Sequence, residues 1–544
     1  MANEQLPAYL ASAKPNPLTN RAPWYKTTAQ TYAGIFLWIA FYDQLAGTAN
    51  GPGTLGMSGL GTCLLALLVA GLVSHAFFYL VPGMLGLKSG LPLYIVGTST
   101  FGTKGGYFLP GIFMGLLQIG WYSVATFFAT KLMLGALGLG QHDYTLFGPP
   151  GAHGNGFSVV FVVMAVVWGY LFAFLGGLGI GVVARISTYF PIVPIAMLII
   201  SAGIAARHVG DYDRLATTKN SVAAASLLQE AQDNAENAAK AAGQTDAEVK
   251  NAGGAARSEW ATKAASPEAI AAAPIDQQSD SMVSGAMKLA GLLLMVQLVV
   301  GFFATAGACG ADFCSNNRNA KDVQMGGLVG IAIATLFAGG LAVTTVAGAH
   351  AALTAKVASG SATWGQLVAY NYSDAIGVIA PTWLSKSMLL LFAVGSIAPA
   401  CFCSFIIGNS LSTMLARPQA RVAITMAGAT IGIVLAALGF AGNLAPFFGL
   451  IGASFGPVIG AMTADYLLSG RRWAGPREGV SIAGYGAWLV GFVVGILNHP
   501  WVGVLPGWHA ASVYSFVVGF VVFYVLAAAG LRGRQVPYQA APAQ

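Results

Sequence analysis

The chain has 544 residues, of which 56% are hydrophobic and only 8% charged, with a mean hydropathy of +0.68. A soluble globule carries roughly a quarter of charged residues, so this composition excludes one and describes a polytopic membrane protein. The formal net charge of +7 does not make a nucleic-acid binder, because the basic residues stand singly or in pairs between apolar runs and form no basic stripe.

The N-terminus is polar through Lys26, with no short apolar run behind a basic start, so no cleaved signal peptide is expected. Runs apolar enough to cross a bilayer, about 20 residues each, occur twelve times. They fall near 32–55, 58–84, 107–138, 157–176, 183–205, 284–306, 325–350, 387–414, 421–441, 443–468, 482–498 and 512–531. The chain then divides into an N-terminal segment 1–31, a first core part 32–207, a polar insertion 208–282, a second core part 283–531 and a tail 532–544. With the N-terminus in the cytoplasm, the inner side collects Lys14, Arg21, Lys26, Lys88, Lys104, Arg185, Arg318, Lys321, Arg417, Arg421, Arg471, Arg472, Arg477, Arg532 and Arg534. Of the short outer loops only the one after the seventh span carries lysine, at Lys356 and Lys386. This asymmetry predicts both termini on the cytoplasmic side of the membrane.

The first span does not read as a simple lipid-facing helix. In LWIAFYDQLAGTANGPGTLG, Asp43 and Gln44 give way to Gly47, Gly51, Pro52 and Gly53. The sixth span repeats the anomaly five spans later: VVGFFATAGACGADF carries Gly301, Gly307 and Gly310, each weakening a helix interior by roughly 1 kcal/mol relative to alanine. Small residues also serve close helix packing. Paired glycine-rich segments at matching positions of two halves, however, point to an inverted-repeat transporter whose broken helices expose backbone at the midplane. On this expectation the breaks at Gly301 and Gly307 free main-chain groups for a substrate.

Between the fifth and sixth spans the chain turns polar and alanine-rich from about His208 to Met282. The stretch SVAAASLLQEAQDNAENAAKAAGQ reads as a helix former, interrupted later by Gly253, Gly254 and Pro267. Following an odd-numbered span, it belongs outside, and its excess of acids suits a translocated loop. Few large apolar residues are available to bury, which favours a mobile, partly helical insertion, dispensable for transport, over a helical hairpin capping the outer mouth.

Gln118 and Trp121 lie three apart on the third span and so share a helix face. A carboxamide offers donors and an acceptor, an indole a flat apolar surface. The pair suits a planar heterocycle, as it also suits ordinary interhelical packing. Asp43 is a functional candidate because a charged acid in lipid costs several kcal/mol. Asp312 stands at the inner end of its span near Arg318 and Lys321, which favours an ion-pair or helix-end role. The five cysteines, Cys63, Cys309, Cys314, Cys401 and Cys403, fall in or beside apolar spans and suggest buried thiols rather than disulfides or a zinc site. Cys401 and Cys403 point to different helix faces. No HExxH motif or intramembrane acid cluster indicates an enzyme, so none is expected.

Five stretches in order, GTLG at 53–56, SxFGxKG at 99–105, LLQIGWYSV at 116–124, VGFFATAGACGADF at 300–313 with Arg318-Asn319-Ala320-Lys321 after it, and ADYLLSGRRW at 464–473, resemble the nucleobase:cation symporter (purine/cytosine permease) family, and within it the bacterial cytosine permeases. The resemblance implies an all-α leucine-transporter-like fold: a 5+5 inverted repeat plus two extra helices, working by alternating access as a symporter. It implies that Gln118 and Thr305 read the edge of a nucleobase and that Trp121 and Phe303 sandwich its ring. It further implies sodium as coupling ion, held by main-chain carbonyls near Phe41 and Gln44 and by eighth-span hydroxyls. There the chain departs from the pattern: AVGSIAPACFCSFIIGNSLST offers Ser404 in place of a hydroxyl pair and Asn409 as a displaced amide. With this side of the ion shell weakened, a proton carried by Asp43 is the alternative, as is an uncoupled carrier or sensor of a purine or hydantoin. No cofactor is implied beyond the coupling ion, and the partners are a small planar heterocycle and the lipid bilayer.

Overall fold

Burial of twelve apolar runs against one another gives an all-helical bundle, and a computed structural model describes it over residues 6–36, 38–47, 53–139, 159–263, 285–362, 370–442, 444–505 and 507–538. Among the described residues ten helices are long and apolar enough to cross a membrane. The broken first span and the shorter eleventh, Ile482–Gly495, bring the spans to the expected twelve.

The two glycine-rich spans behave differently. The first is three short helices, Thr28–Phe36, Ile39–Tyr42 and Gly53–Ser58, with Trp38 and residues 43–47 outside them. Its second break is closed by Thr54, whose hydroxyl donates to the Leu45 carbonyl, and by the Leu55 N–H on Ala46 O at 2.9 Å. Gly53 needs its φ of +46° here, which L side chains reach only at a cost. The sixth span, by contrast, runs unbroken from Gly285 to Ala308 and turns only at Cys309 before a last helix, Gly310–Cys314. The expectation of a mid-span break is therefore corrected. A Cβ at Gly301 would come within 2.6 Å of Phe448 O, and one at Gly307 within 3.1 Å of the Phe78 backbone. These glycines let the tenth and second spans approach the sixth.

The third span (Tyr107–Leu137) packs against the eighth (Ile397–Met414) and ninth (Arg421–Ala437), the sixth against the second (Leu60–Ser89) and tenth (Leu444–Leu468), and the fifth (Ile192–Val209) against the seventh. The last three spans form a unit joined to the core through the sixth–tenth contact. The N- and C-terminal segments share one face, where Tyr9 donates to Thr103 O at 2.5 Å and Tyr538 to Leu10 O at 3.5 Å. Two of the quoted motifs meet on that face. Arg477 donates through Nε to Ser99 O at 2.7 Å and through Nη2 to Asp465 at 3.4 Å, while Arg532 reaches the same carboxylate at 2.6 Å. Burial lowers the Arg477 pKa and the Asp465 charge opposes that shift.

The described part of the insertion is a pair of helices, Arg214–Ala241 and Asp246–Lys263, packed on each other. Asp213 caps the first by accepting the N–H groups of Leu215 (2.8 Å) and Ala216 (3.2 Å). The described part is thus a helical hairpin rather than loose chain, because alanine gives helix propensity and lets two helices pack closely without large apolar residues. It is also anchored. Arg214 donates to Met57 O at 2.9 Å and Gly56 O at 3.3 Å, and buried Thr218 to Gly56 O at 3.3 Å, so its base holds the end of the broken first span. Pro267 lies outside the described residues.

Candidate functional site

The straight helix Phe113–Leu137 puts Gln118 and Trp121 on one face, where they are only 1% and 3% exposed. The Trp121 indole N–H donates to Thr305 Oγ1 of the sixth span at 2.9 Å. Rings from three other spans close around the indole: Phe302 at 5.2 Å, Phe447 at 5.0 Å, Phe448 at 5.2 Å and Trp38 at 6.1 Å. Phe302, Phe447 and Trp38 meet it edge-on, the orientation that sets a ring's positive rim against a neighbour's negative face. Phe41 extends the cluster by packing on Phe302 at 4.8 Å.

The structure therefore joins Trp121 to Thr305, with Gln118 one helical turn before Trp121 on the same face. Phe303 is fully buried beside them, yet the sixth-span ring against Trp121 is its neighbour Phe302, with Phe303 lying edge-on to Phe302 at 5.2 Å. Successive residues on a helix point about 100° apart, so the expected Trp121–Phe303 sandwich is displaced by one position in this conformation. Gln118 rests its amide nitrogen on Met114 Sδ at 3.6 Å, and its Oε1 has no hydrogen-bond partner among the described residues.

The eighth-span expectations fare differently. Ser404 donates to Phe172 O at 3.2 Å and to Cys401 O at 3.0 Å, with Gly176 of the fourth span directly against its hydroxyl. In the conformation described its hydroxyl is engaged with these carbonyls of the fourth and eighth spans, and the Gly176 contact draws the two helices together. Asn409 is half-buried and makes no side-chain hydrogen bond to the cluster among the described residues. Beside it Ser410 donates to Gly111 O at 2.7 Å, two helical turns before Gln118.

In the first span, Phe41 and Gln44 flank the start of the non-helical stretch, where main-chain carbonyls leave the helical ladder. Asp43, 2% exposed, is engaged at both its oxygens of interest. Its carboxylate accepts the Ser373 N–H at 2.6 Å and its main-chain carbonyl accepts the Tyr372 N–H at 3.1 Å. Both donors belong to the first turn of the helix Tyr372–Ile379 that follows the seventh span. Asp43 is thus a helix cap supplied from another span. Asp312 likewise accepts a backbone N–H, from Leu93 at 3.3 Å, and it is Asp322 that pairs with Arg318, at 3.0 Å. Among the described residues no three His, Cys, Asp or Glu side chains cluster as a metal site, and all five cysteines are buried and unpaired.

Sequence reasoning missed Trp38, Phe302, Phe447 and Phe448. Trp38 carried a signal in standing within the glycine-rich first span, five residues before Asp43. The tandem phenylalanines carried none that separates them from core.

No family model matches the chain, and no curated protein sequence does. Solved structures share its fold, three of them as follows. Mhp1, a nucleobase-cation-symport-1 family transporter, in a closed conformation with bromovinylhydantoin bound, superposes with a TM-score of 0.62 at 12% identity, covering 97% of each chain. Its inward-facing conformation gives 0.54 at 14% identity over 96% of this chain and 94% of that one. A substrate-bound, outward-open Na+-coupled sialic acid symporter gives 0.51 at 11% identity, covering 98% and 94%. At such identities the likeness establishes the fold: this chain is built as a leucine-transporter-like, Mhp1-like helical bundle.

Proposed function

We propose that the protein is a secondary active transporter that imports a nucleobase such as cytosine, or a related planar heterocycle, in symport with a cation by alternating access. The observation that carries this reading is the bond from Trp121 to Thr305, which joins the third and sixth spans beside an unpartnered Gln118 oxygen, within a fold shared with cation symporters. A flat indole with a hydroxyl and a carboxamide at its margin suits a ring that stacks and is read at its edge, a contact worth about 1–3 kcal/mol per stacked base. Phe303 and its neighbour Phe302 are the aromatic partners, with Asn409 a further amide reached by motion of the eighth span. The bound hydantoin of Mhp1 supports the planar-ring class without choosing among its members.

Sodium is the coupling ion on this reading, at the Phe41 and Gln44 carbonyls, since the sialic acid neighbour is Na+-coupled. Ser404 joins that shell only if the eighth span rotates away from Gly176. Proton coupling through Asp43 is the weaker reading, because its carboxylate is already spent on a helix terminus. The lysine and arginine distribution supports insertion in a bacterial inner membrane with both termini inside.

The test is thermal stabilisation of the purified protein by a panel of nucleobases and hydantoins. At least one ring should raise the melting temperature, and Trp121→Ala should remove that rise while Tm without ligand still reports a folded protein. Stabilisation by none of them, or equal stabilisation of the variant, would place the site elsewhere or the substrate in another class.

A further inference from the structure

Trp38 is the one residue of the aromatic cluster that lies outside a helix, between Thr28–Phe36 and Ile39–Tyr42. Its ring stands 6.1 Å from Trp121 and 6.3 Å from Phe302, and it is 2% exposed. The two indoles differ in one respect. Trp121 spends its N–H on Thr305, whereas the Trp38 Nε1 has no hydrogen-bond partner among the described residues. Gln118 Oε1, one helical turn before Trp121, is in the same condition. The cluster thus holds a buried donor on a ring that meets Trp121 edge-on, and a buried acceptor on the residue one helical turn before Trp121. Leaving a buried polar group unmet costs about 1–3 kcal/mol each, and an indole can only donate. A ligand that meets both must present an acceptor and a donor on its margin, as a cyclic amide or ureide does with its carbonyl and ring N–H.

We propose that Trp38 is a specificity-determining residue that donates its indole N–H to a ring carbonyl of the substrate while Gln118 accepts from a ring N–H, restricting the site to oxo-bearing, N–H-bearing heterocycles. This rests on the transporter reading above and narrows it. The position of Trp38 adds a consequence: its carbonyl accepts the Phe41 N–H at 3.0 Å at the start of Ile39–Tyr42, so substrate that engages its indole N–H engages the first span directly.

The experiment is calorimetric binding to the full-length protein in detergent, using cytosine, uracil, hydantoin, 2-thiocytosine, 2,4-dithiouracil and the ring N-methylated analogues. Trp38→Phe keeps the ring and removes the N–H. It should weaken the oxo probes about five- to tenfold and change thio-probe affinity little, a thiocarbonyl being a poor acceptor. Oxo-probe affinity unchanged in Trp38→Phe, with binding lost in Trp121→Ala, would overturn the role of Trp38 and leave the ring site standing. Failure of every probe to bind wild type would overturn both. Should Trp38→Phe not fold, wild type alone decides. Weaker binding after sulfur substitution and after N-methylation supports the proposal, and indifference to both overturns it.

Discussion

Trp121 and Thr305 act as a pair because each is buried where no water replaces the other. Replacing Thr305 by Val keeps the shape and removes the acceptor, leaving an indole N–H unmet. The expected loss is about 1–3 kcal/mol of stability, read as a lower Tm, with weaker ring binding. A Thr305→Ser variant should recover most of both, and a Val variant as stable as wild type would show that the bond carries no weight. Asp43 is explained at the same level. Its carboxylate accepts the Ser373 N–H at 2.6 Å, so Asp43→Ala should loosen the first turn of Tyr372–Ile379. The expected cost is about 0.5–2 kcal/mol, in line with the loss of a helix cap, and the readout is faster amide exchange confined to that helix. Exchange unchanged there, with gradient-driven uptake abolished, would return Asp43 to the role of proton carrier. That Gln118 and Trp121 share a helix face was legible from their spacing, whereas Thr305 was singled out only by the family resemblance. Phe302 was not legible, since adjacent phenylalanines differ only in helix phase and the sequence cannot supply that phase to within one residue. Nor could Ser404 be judged, because the Gly176 contact that turns it lies 228 positions upstream in the chain.

Glycines separate the two anomalous spans. In the first they break the helix; in the sixth they bring neighbouring helices close, and composition alone does not distinguish these uses. Gly301→Ala should therefore destabilise, by about 1–3 kcal/mol, because a Cβ there meets Phe448 O at 2.6 Å. Gly203→Ala, on a helical position with nothing within 4 Å, should be neutral or slightly stabilising. Equal tolerance of both would remove close packing as the reason for Gly301. The insertion makes a similar point. Its alanine-rich stretch was legible as helix former but its docking was not, because the contact is made by Arg214 and Thr218 on carbonyls of Gly56 and Met57, groups that every residue carries. Replacing 214–263 by a short linker should preserve uptake and lower Tm, since those carbonyls lose their donors. Complete loss of uptake in a correctly inserted deletion protein would make the hairpin part of the transport cycle.

The count of twelve spans was readable because it depends on length and hydropathy, which the bilayer imposes on each run separately. The order in which the helices pack was not, and it came only through family resemblance and structural likeness. Together they describe a bundle in which the third and sixth spans meet at Trp121 and Thr305, the broken first span lies beside them, and the helix Tyr372–Ile379 and the hairpin hold the end of that span opposite the termini. The proposed symporter would concentrate its substrate only under an ion gradient. The most direct measurement is uptake of radiolabelled cytosine, uracil and hydantoin into proteoliposomes, with an inward sodium gradient or an inward proton gradient imposed alone. The account predicts transient accumulation of at least one ring under the sodium gradient, absent in Trp121→Ala and unaffected by pH. Accumulation driven by the proton gradient and indifferent to sodium would contradict the ion assignment, and no accumulation of any ring under either gradient would contradict the transporter reading itself.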